Sequence, residues 1–238
     1  YGLSLNAAGS PNYVNSAGTN IWTGSSHSGY QNNIFGIARD NGSNLYQKQS
    51  KSTSDGSIST YLSSLTTTNA ANTGTLNDLD AVLLGDNNLS GTTAYSYAAG
   101  TAFANGSLAG TINMRSSKIW NAQVTLAGTA GGAYTLNIAT TGYNYARYVM
   151  VSSNSSFTPA STRIYAVSGG SATGVVVNDG DFVTIGSFQT GPGGVTSGLT
   201  LWVNASTPPG ATTTWNDLSG SGHNLQLQGG VQSTVSNA

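Results

Sequence analysis

Few residues of this chain could do acid–base chemistry, and they form no recognisable catalytic pattern. The two histidines, His27 and His223, each lie in a stretch of Ser and Gly. A nucleophilic triad needs a nucleophile, a base and an orienting acid in contact, which closeness to one of many serines does not indicate. No paired carboxylates suited to sugar hydrolysis are evident. We predict a non-enzymatic protein in which His27 is an exposed loop residue and His223 belongs to a turn.

Two groups of aspartates could hold a hard cation such as calcium, which prefers carboxylate and carbonyl oxygens. Asp78, Asp80 and Asp86 form the first group, and Asp179 and Asp181 flank a glycine in the second. Neither follows the spacing of an EF-hand loop. Solvated turns explain the first group and a hairpin turn explains the second. We therefore predict no cofactor, with calcium at Asp78, Asp80 and Asp86 as the open alternative.

The composition excludes several classes of protein. Charged residues make up 6% of the chain, hydrophobic residues 37%, and the net charge is −1, whereas disordered chains combine low hydrophobicity with high charge. The seven Lys and Arg are scattered, which argues against nucleic-acid binding. No apolar run approaches the roughly 20 residues that span a bilayer. Cysteine is absent, which excludes disulfides and thiolate metal sites. All acidic residues are Asp, and Asp, Gly, Ser and Asn favour turns between strands.

The clearest strand lies at 117–126, where Trp120, Ala122 and Val124 share a face opposite polar side chains. This period of two is typical of a half-buried strand, so we predict that Trp120 lies in the core. Further strands are predicted at 133–138, 145–151, 163–167, 174–178 and 182–186, with a tight hairpin at 177–182. Such spacing between short strands favours an antiparallel sandwich. The sequence predicts an all-β protein, an antiparallel β-sandwich of immunoglobulin-like or jelly-roll-like type.

The first half of the chain is less regular. Strands are predicted at 13–14, 20–22, 33–39, 45–51 and 81–84, with a strand or short helical turn at 57–65 and an irregular connection or long hairpin at 90–110. We divide the chain into a β-rich part (1–110), an immunoglobulin-like part (111–187), a Gly/Pro linker (188–198) and an incomplete segment (199–238). The first part either forms its own sheet or extends the second, and one packed unit is favoured.

A Tyr-rich stretch at 143–148 is a candidate contact surface, because interfaces are enriched in Tyr, Trp and Arg. On a strand, Tyr143, Tyr145 and Arg147 would share a face opposite Tyr148. We predict that this face contacts another subunit. The remaining tryptophans, at positions 22, 202 and 215, are ambiguous between sugar stacking and burial.

Several stretches, taken together and in order, resemble a module of very large surface proteins from gliding and biofilm-forming bacteria, chiefly Bacteroidota. They are residues 1–5, 14–22, 30–40, 45–52, 115–124 and 179–186. Arg39 and Asp40 lie in the most family-like of these stretches, and we expect Arg39 to pair with a carboxylate or carbonyls inside the module. Trp120, Asp179 and Asp181 lie in the other matching stretches and are also expected to be structural. The resemblance implies an extracellular, cell-surface location.

The tail, with Leu-Thr-Leu-Trp-Val at 199–203, resembles the opening of a laminin-G/concanavalin-like jelly roll. The resemblance implies that the chain is a piece of a longer modular protein. A segment of about 40 residues is too short to close two sheets. We expect Leu199, Leu201 and Val203 either to pair with a neighbouring copy by strand addition or to lie against the first module.

These observations predict an extracellular structural and adhesive module of a bacterial surface protein or fibre, of the kind found in filaments and biofilms. Its partners would be other copies of itself or adjacent modules, with surface glycans as a further candidate and no nucleic acid or membrane insertion. The alternative is a carbohydrate-binding, lectin-like module.

Overall fold

A computed structural model describes residues 2–5, 11–143 and 146–187, together with 201, 203, 214–215 and 225–226. Within these ranges the protein is all-β and contains two short 3₁₀ helices, Gly24–His27 and Pro159–Ser161. None of the helices in the described ranges has the length and apolar character required to cross a membrane.

The strands are short, from two to nine residues. In the first half they are β1 (Gly2–Leu5), β2 (Pro11–Val14), β3 (Asn20–Thr23), β4 (Asn32–Asp40), β5 (Leu45–Gln47), β6 (Gln49–Lys51), β7 (Ser59–Tyr61), β8 (Ala81–Asp86), β9 (Thr92–Tyr97), β10 (Ala102–Phe103) and β11 (Gly106–Ser107). In the second half they are β12 (Ile112–Ser116), β13 (Trp120–Leu126), β14 (Thr129–Ala130), β15 (Ala133–Ala139), β16 (Tyr148–Ser152), β17 (Thr162–Ala166), β18 (Ser171–Asn178), β19 (Phe182–Ser187), β20 (Thr214–Trp215) and β21 (Leu225–Gln226).

Two antiparallel sheets form a β-sandwich, as the alternation predicted. The larger sheet has ten strands, with the main order β17-β16-β19-β13-β8-β4-β5 and with β12, β9 and β14 attached beside it. The smaller sheet has four strands in the order β18-β15-β7-β6. Strands from both halves of the chain pair in the larger sheet, since β13 pairs with β8 and β12 pairs with β9. The sandwich therefore includes residues from 1–110 and from 111–187 in one sheet.

The main core lies between these two sheets. Trp120 is 1% exposed and packs with Val82, Leu84 and Ile185 from the larger sheet and with Ile138 from the smaller one. Burial of such side chains contributes about 1.5–3 kcal/mol each relative to exposure. The prediction that Trp120 is a core residue is confirmed.

The outer face of the larger sheet is also covered. A three-stranded sheet, β1-β2-β3, places Ile21 and Trp22 in a second apolar cluster with Leu83. Gln123 of β13 points to this side, where its side chain accepts a hydrogen bond from Thr23 N and donates one to Asn20 O. The sequence predicted a half-buried β13, but its polar face is buried as well, because β3 supplies hydrogen-bond partners there.

A third apolar cluster covers the rest of that outer face. Its buried members are Phe103, Leu108, Ile112, Ile119, Met150 and Phe157, with tyrosines of β9 packed at its rim. The β10–β11 hairpin contributes Phe103. The stretch 90–110, predicted as an irregular connection or hairpin, thus contains a hairpin and also a strand of the large sheet.

Two predicted local structures are wrong. The turn at 178–181 was expected to close a hairpin, but β18 lies in the small sheet and β19 in the large one. It is a tight turn that carries the chain across the sandwich, with Gly180 at φ +81° and a hydrogen bond from Asp181 N to Asn178 O. The stretch 45–51 was expected to be one strand, but it crosses between the sheets as β5 and β6.

The chain divides into two compact units, Tyr1–Ser187 and Phe188–Ala238. The second unit contains the antiparallel pair β20–β21, in which Trp215 is opposite Leu225. The predicted linker at 188–198 lies outside the described residues.

Candidate functional sites

Among the described residues, Lys118, which precedes β13, pairs with two aspartates. Its Nζ lies 2.8 Å from Asp55 Oδ2 and 3.1 Å from Asp86 Oδ2. Asp86 ends β8 and is 0% exposed, and the backbone pairing of Trp120 with Asp86 brings Lys118 to it. Asp55 comes from the loop between β6 and β7 of the opposite sheet. We call Asp55, Lys118 and Asp86 the lysine centre.

The two carboxylates of the lysine centre are held differently. Asp86 also accepts hydrogen bonds from Asn33 Nδ2, at 3.0 and 3.2 Å, and from Asn88 N. Asp55 Oδ1 accepts one from Ser57 N, while Oδ2 is buried and has only the lysine contact in the described part of the chain. A lysine between two carboxylates also leaves a negative charge that amide donors must offset.

Burial and ion pairing shift the pKa values of this centre in opposite directions. Desolvation lowers the pKa of Lys118, but hydrogen bonds and charge from Asp55 and Asp86 outweigh it and raise that pKa above its usual value. Desolvation raises the pKa of Asp55, but Lys118 and Ser57 outweigh it and lower that pKa. In the resting state Lys118 is therefore an ammonium paired with the Asp55 carboxylate. No combination of spacing in the sequence indicated this centre, because its three residues come from separate elements.

A second distinctive feature is the edge strand β9. It pairs with β12 on one side, and no described residue makes a backbone hydrogen bond to its other side. Thr92, Thr93, Ala94 and Ser96 are exposed, and the strand contains no charge and no proline. One irregularity between Ala94 and Tyr97 interrupts its pairing. Unpaired edges of this kind are templates for another strand.

Other edges of the sandwich are closed by side chains. At β17, the Asn105 amide exchanges two hydrogen bonds with the backbone of Ile164, at 2.9 and 2.8 Å. At β5, the Asn69 amide donates to Tyr46 O and accepts from Lys48 N, both at 2.6 Å. These amides take the place of a neighbouring strand.

The edge of β18 is closed by two side chains from β17. Val176 N donates to the hydroxyl of Tyr165 at 3.1 Å, and Val176 O accepts from Arg163 Nη2 at 3.2 Å. The edge strands β6 and β14 are three and two residues long, and short edges offer little pairing surface. At six residues, β9 is longer than either of them.

Behind β9, tyrosines and Arg115 fix the strand in place. Tyr95 donates its hydroxyl to Phe157 O, and the Arg115 guanidinium lies 5.8 Å from the Tyr95 ring and 5.4 Å from the Phe157 ring. Burial lowers the pKa of Arg115 and raises that of Tyr95. Such cation–π contacts are stronger when desolvated. These apolar and cation–π contacts hold the inner side of β9 against the apolar cluster behind it.

The predicted Tyr/Arg contact face is not present as a strand face. Tyr143 precedes β16 and packs edge-on against Trp120, with ring centroids 6.3 Å apart, so it faces the core. Burial raises the pKa of its hydroxyl. Arg147 is exposed. Tyr145 and Leu199 lie outside the described residues, whereas Leu201 is 42% exposed and Val203 is partly buried.

Arg39 makes internal contacts of the kind expected. Arg39 Nη1 donates to Leu76 O at 3.0 Å, and the guanidinium stacks over the Tyr46 ring at 4.9 Å. Asp181 is 2% exposed and pairs with Arg163, and Asp179 Oδ1 accepts a hydrogen bond from Val124 N. Asp179 therefore fixes the backbone at Val124, and Asp181 fixes the side chain of Arg163.

The three aspartates of the candidate calcium site do not come together. Asp80 and Asp86 lie at opposite ends of β8, a separation of about 20 Å at 3.3 Å per residue. Asp80 accepts from Asn77 N and Ala127 N, and the exposed Asp78 accepts from Asn41 N. No group of three acidic or histidine side chains suited to a metal occurs in the described ranges.

His27 is not the exposed loop residue that the sequence predicted. It is 5% exposed, stacks on Trp22 with ring centroids 4.1 Å apart, and its Nδ1 lies 2.9 Å from Thr23 O. The 3₁₀ helix Gly24–His27 turns it inward. Trp22 is 0% exposed, so it cannot stack on a sugar. His223 and Trp202 lie outside the described residues.

A groove of about 440 Å³ lies beside β6 and is lined by polar side chains with one exposed leucine. Lys51, Thr66 and Thr67 contribute to it, and Leu65 is 46% exposed. The Gln49 amide in its wall is occupied by Thr66, accepting from its N and Oγ1 and donating to its O. The groove is polar, but its principal amide is already bonded.

The fold and these sites define a β-sandwich protein whose buried charged groups make internal contacts. Residues 1–186 match the model of a domain family of unknown function, DUF8202, so the chain belongs to that family. No curated protein and no solved structure matches the chain.

Asp40 provides a test of how one buried carboxylate stabilises this fold. It is 3% exposed and accepts hydrogen bonds from Ser16 N at 2.7 Å and Ser43 Oγ at 2.8 Å. Desolvation raises the pKa of Asp40, but the hydrogen bonds from Ser16 and Ser43 outweigh it and lower that pKa to about 2. Because the folded-state pKa is lowered, this stabilisation is complete above the ordinary value of 3.8 and is lost as the pH falls towards 2.

We expect Asp40→Asn to lower the free energy of unfolding at pH 7 by about 1–3 kcal/mol, since Ser16 and Ser43 lose a charged acceptor. Urea unfolding at pH 7 and at pH 2.5 would measure the difference from the unaltered chain. The difference in free energy of unfolding between the two chains should be smaller at pH 2.5 than at pH 7. Asp78→Asn, at an exposed carboxylate, is the matched control and should change little. An equal difference in free energy of unfolding at both pH values would contradict the lowered pKa of Asp40.

Proposed function

We propose that this chain is an extracellular structural and adhesive module of a bacterial surface protein or fibre, without enzymatic activity. The observation that carries the proposal is the open edge of β9 in a sandwich whose β5, β17 and β18 edges are closed by side chains. An uncharged edge strand that packs against an apolar cluster is suited to strand addition. The likeness of the sequence to modules of large surface proteins supports the extracellular setting.

The occupant that we propose for this edge is the segment 199–203 of another copy. Its sequence Leu-Thr-Leu-Trp-Val has high β-propensity and contains no charge or proline. In strand addition, backbone hydrogen bonds supply affinity, so the exposed Thr92, Thr93 and Ala94 backbone would be the docking segment. The sandwich of one copy would then join the tail of the next.

Assembly is tested by placing a charge on the open edge. We expect Ala94→Lys to shift self-association to at least tenfold higher concentration, because a lysine on an edge strand opposes pairing. Sedimentation velocity over a concentration series, with electron microscopy of the same samples, would measure it. Ala160→Lys adds the same charge at an exposed position of a 3₁₀ helix and should assemble normally.

Removing the tail tests the proposed donor segment separately from the β9 edge. A chain ending at residue 194 retains β9 but lacks 199–203, and we expect it to remain monomeric. Unchanged polymerisation of that chain would exclude the tail as donor. Unchanged polymerisation of Ala94→Lys would exclude β9 as the site, and a monomeric unaltered chain at all concentrations would overturn the proposal.

The polar groove beside β6 supports a second candidate function, binding of a carbohydrate. Hydroxyl and amine groups of Lys51, Thr66 and Thr67 could contact sugar hydroxyls, with Leu65 as the apolar surface. Trp22 and Trp120 are buried and supply no stacking. Specific binding on a glycan array that is lost in Thr67→Ala would favour this function over assembly.

A further inference from the structure

We propose that the lysine centre forms an intramolecular amide bond between Lys118 Nζ and Asp55 Cγ, with Asp86 as the proton relay. The inference is independent of the open β9 edge. It rests on the position of one amine between two carboxylates, 2.8 Å from Asp55 and 3.1 Å from Asp86.

The two carboxylates have different roles because their surroundings differ. Asp86 is 0% exposed, and Asn33 Nδ2 and Asn88 N hold its carboxylate in place 3.1 Å from Lys118 Nζ, where it can pass protons. Asp55 Oδ2 has no second partner among the described residues, so it is the oxygen that can leave. Lys118 is the nucleophile, since amines attack carbonyl carbons once deprotonated.

The reaction balances without an oxidant or a cofactor. Lys118 passes a proton to Asp86, and Asp86 delivers it to Asp55 Oδ2. The neutral Nζ then attacks Cγ of the Asp55 carboxylic acid and forms the C–N bond. A second proton travels from nitrogen through Asp86 to the same oxygen, the C–O bond breaks, and water leaves. Lysine ammonium and aspartate carboxylate become an amide and one water, and Asp86 is unchanged.

The close approach of the two groups favours this condensation over its reversal. Well-oriented intramolecular groups reach effective molarities of about 10⁵–10⁸ M, far above the concentration of water. The side chains of Lys118 and Asp55 are 11% and 22% exposed, so the two groups are held close together with little solvent around them. The resting ion pair, with its raised lysine pKa, makes a relay carboxylate necessary, because the amine must lose its proton before attack.

The bond would join the two sheets of the sandwich. Asp55 lies between β6 and β7 of the small sheet, and Lys118 directly precedes β13 of the large one. A protein without cysteine would thus gain a covalent tie that reduction cannot break. Closing a long loop in this way constrains the unfolded chain as a disulfide does.

The intact mass of the folded chain tests the proposal. We expect a mass lower than the sequence mass by one water. After trypsin, peptide 52–115 should remain joined to peptide 116–147, because trypsin does not cleave after an acylated Lys118. Fragmentation should place the branch at Asp55. A folded chain with the full sequence mass would overturn the proposal, as would a branch at another residue.

Variants distinguish the bond from a plain ion pair. Lys118→Arg keeps the charge but lacks the nucleophile and should show its full mass. Asp55→Asn should lose one ammonia instead of one water, which a salt bridge would not do. Asp86→Asn should remain unlinked, and circular dichroism would verify that each variant is folded. Lys51→Arg is the matched control and should still lose water. Water loss in Lys118→Arg would contradict the assignment.

Discussion

Arg163→Met is expected to lower the free energy of unfolding by about 3–5 kcal/mol, because it leaves a buried carboxylate without its counter-charge. Asp181 is 2% exposed and lies against Arg163, whose Nη2 also donates to Val176 O. Met approximates the length of the aliphatic part of Arg, so the packing changes little while the charge is lost. Chemical denaturation at pH 7 would measure the effect.

A double variant separates the charge from the packing. Adding Asp181→Asn to Arg163→Met removes the unpaired charge, and the amide oxygen can still accept from Asn178 N, as Asp181 Oδ2 does at 2.7 Å. We expect the double variant to recover more than half of the loss. Lys51→Met removes a positive charge from an exposed position and should stay within about 0.5 kcal/mol. A cost below about 1 kcal/mol for Arg163→Met would mean that Asp181 is solvated.

The second large effect is expected at Gly85, which lies on β8 under the Trp22 ring. A Cβ there would lie 2.2 Å from Tyr30 O and 2.8 Å from two ring atoms of Trp22. Trp22 is 0% exposed and stacks on His27, so it has little room to move. We expect Gly85→Ala to cost about 3 kcal/mol, at the upper end of overpacking effects.

Thermal unfolding followed by tryptophan fluorescence would measure this loss and report on Trp22. Gly56→Ala is the control, because its nearest neighbour would be Lys51 Cδ at 3.7 Å, an ordinary contact. Gly56→Ala should leave the unfolding temperature unchanged. A stable Gly85→Ala variant would show that β3 can move away from β8.

If the assembly and cross-link proposals both hold, the module combines a covalent tie within each sandwich with strand pairing between sandwiches. The tie at Asp55 and Lys118 would resist separation of the two sheets, and the β9 edge would carry the load to the next copy. Force spectroscopy of the unaltered chain and of Lys118→Arg would show whether the tie changes the extension at unfolding.

The sequence by itself determined the all-β class and the residues on the inner face of the main strands. Trp120, Ala122 and Val124 alternate with polar residues, and they lie in the core as predicted. Period-2 alternation reveals these faces because side chains of a strand point to opposite sides in turn. It also located most strands to within a few residues.

Only the tertiary structure decided what covers each face and which strands are neighbours. Alternation does not reveal that Gln123 is buried under β3, or that the turn before Asp181 passes from one sheet to the other. The lysine centre joins Asp55, Asp86 and Lys118 through pairings between distant strands. Closure of the edges by Asn69 and Asn105 is equally non-local. Contacts between residues far apart in sequence depend on strand order, and a local pattern carries no record of it.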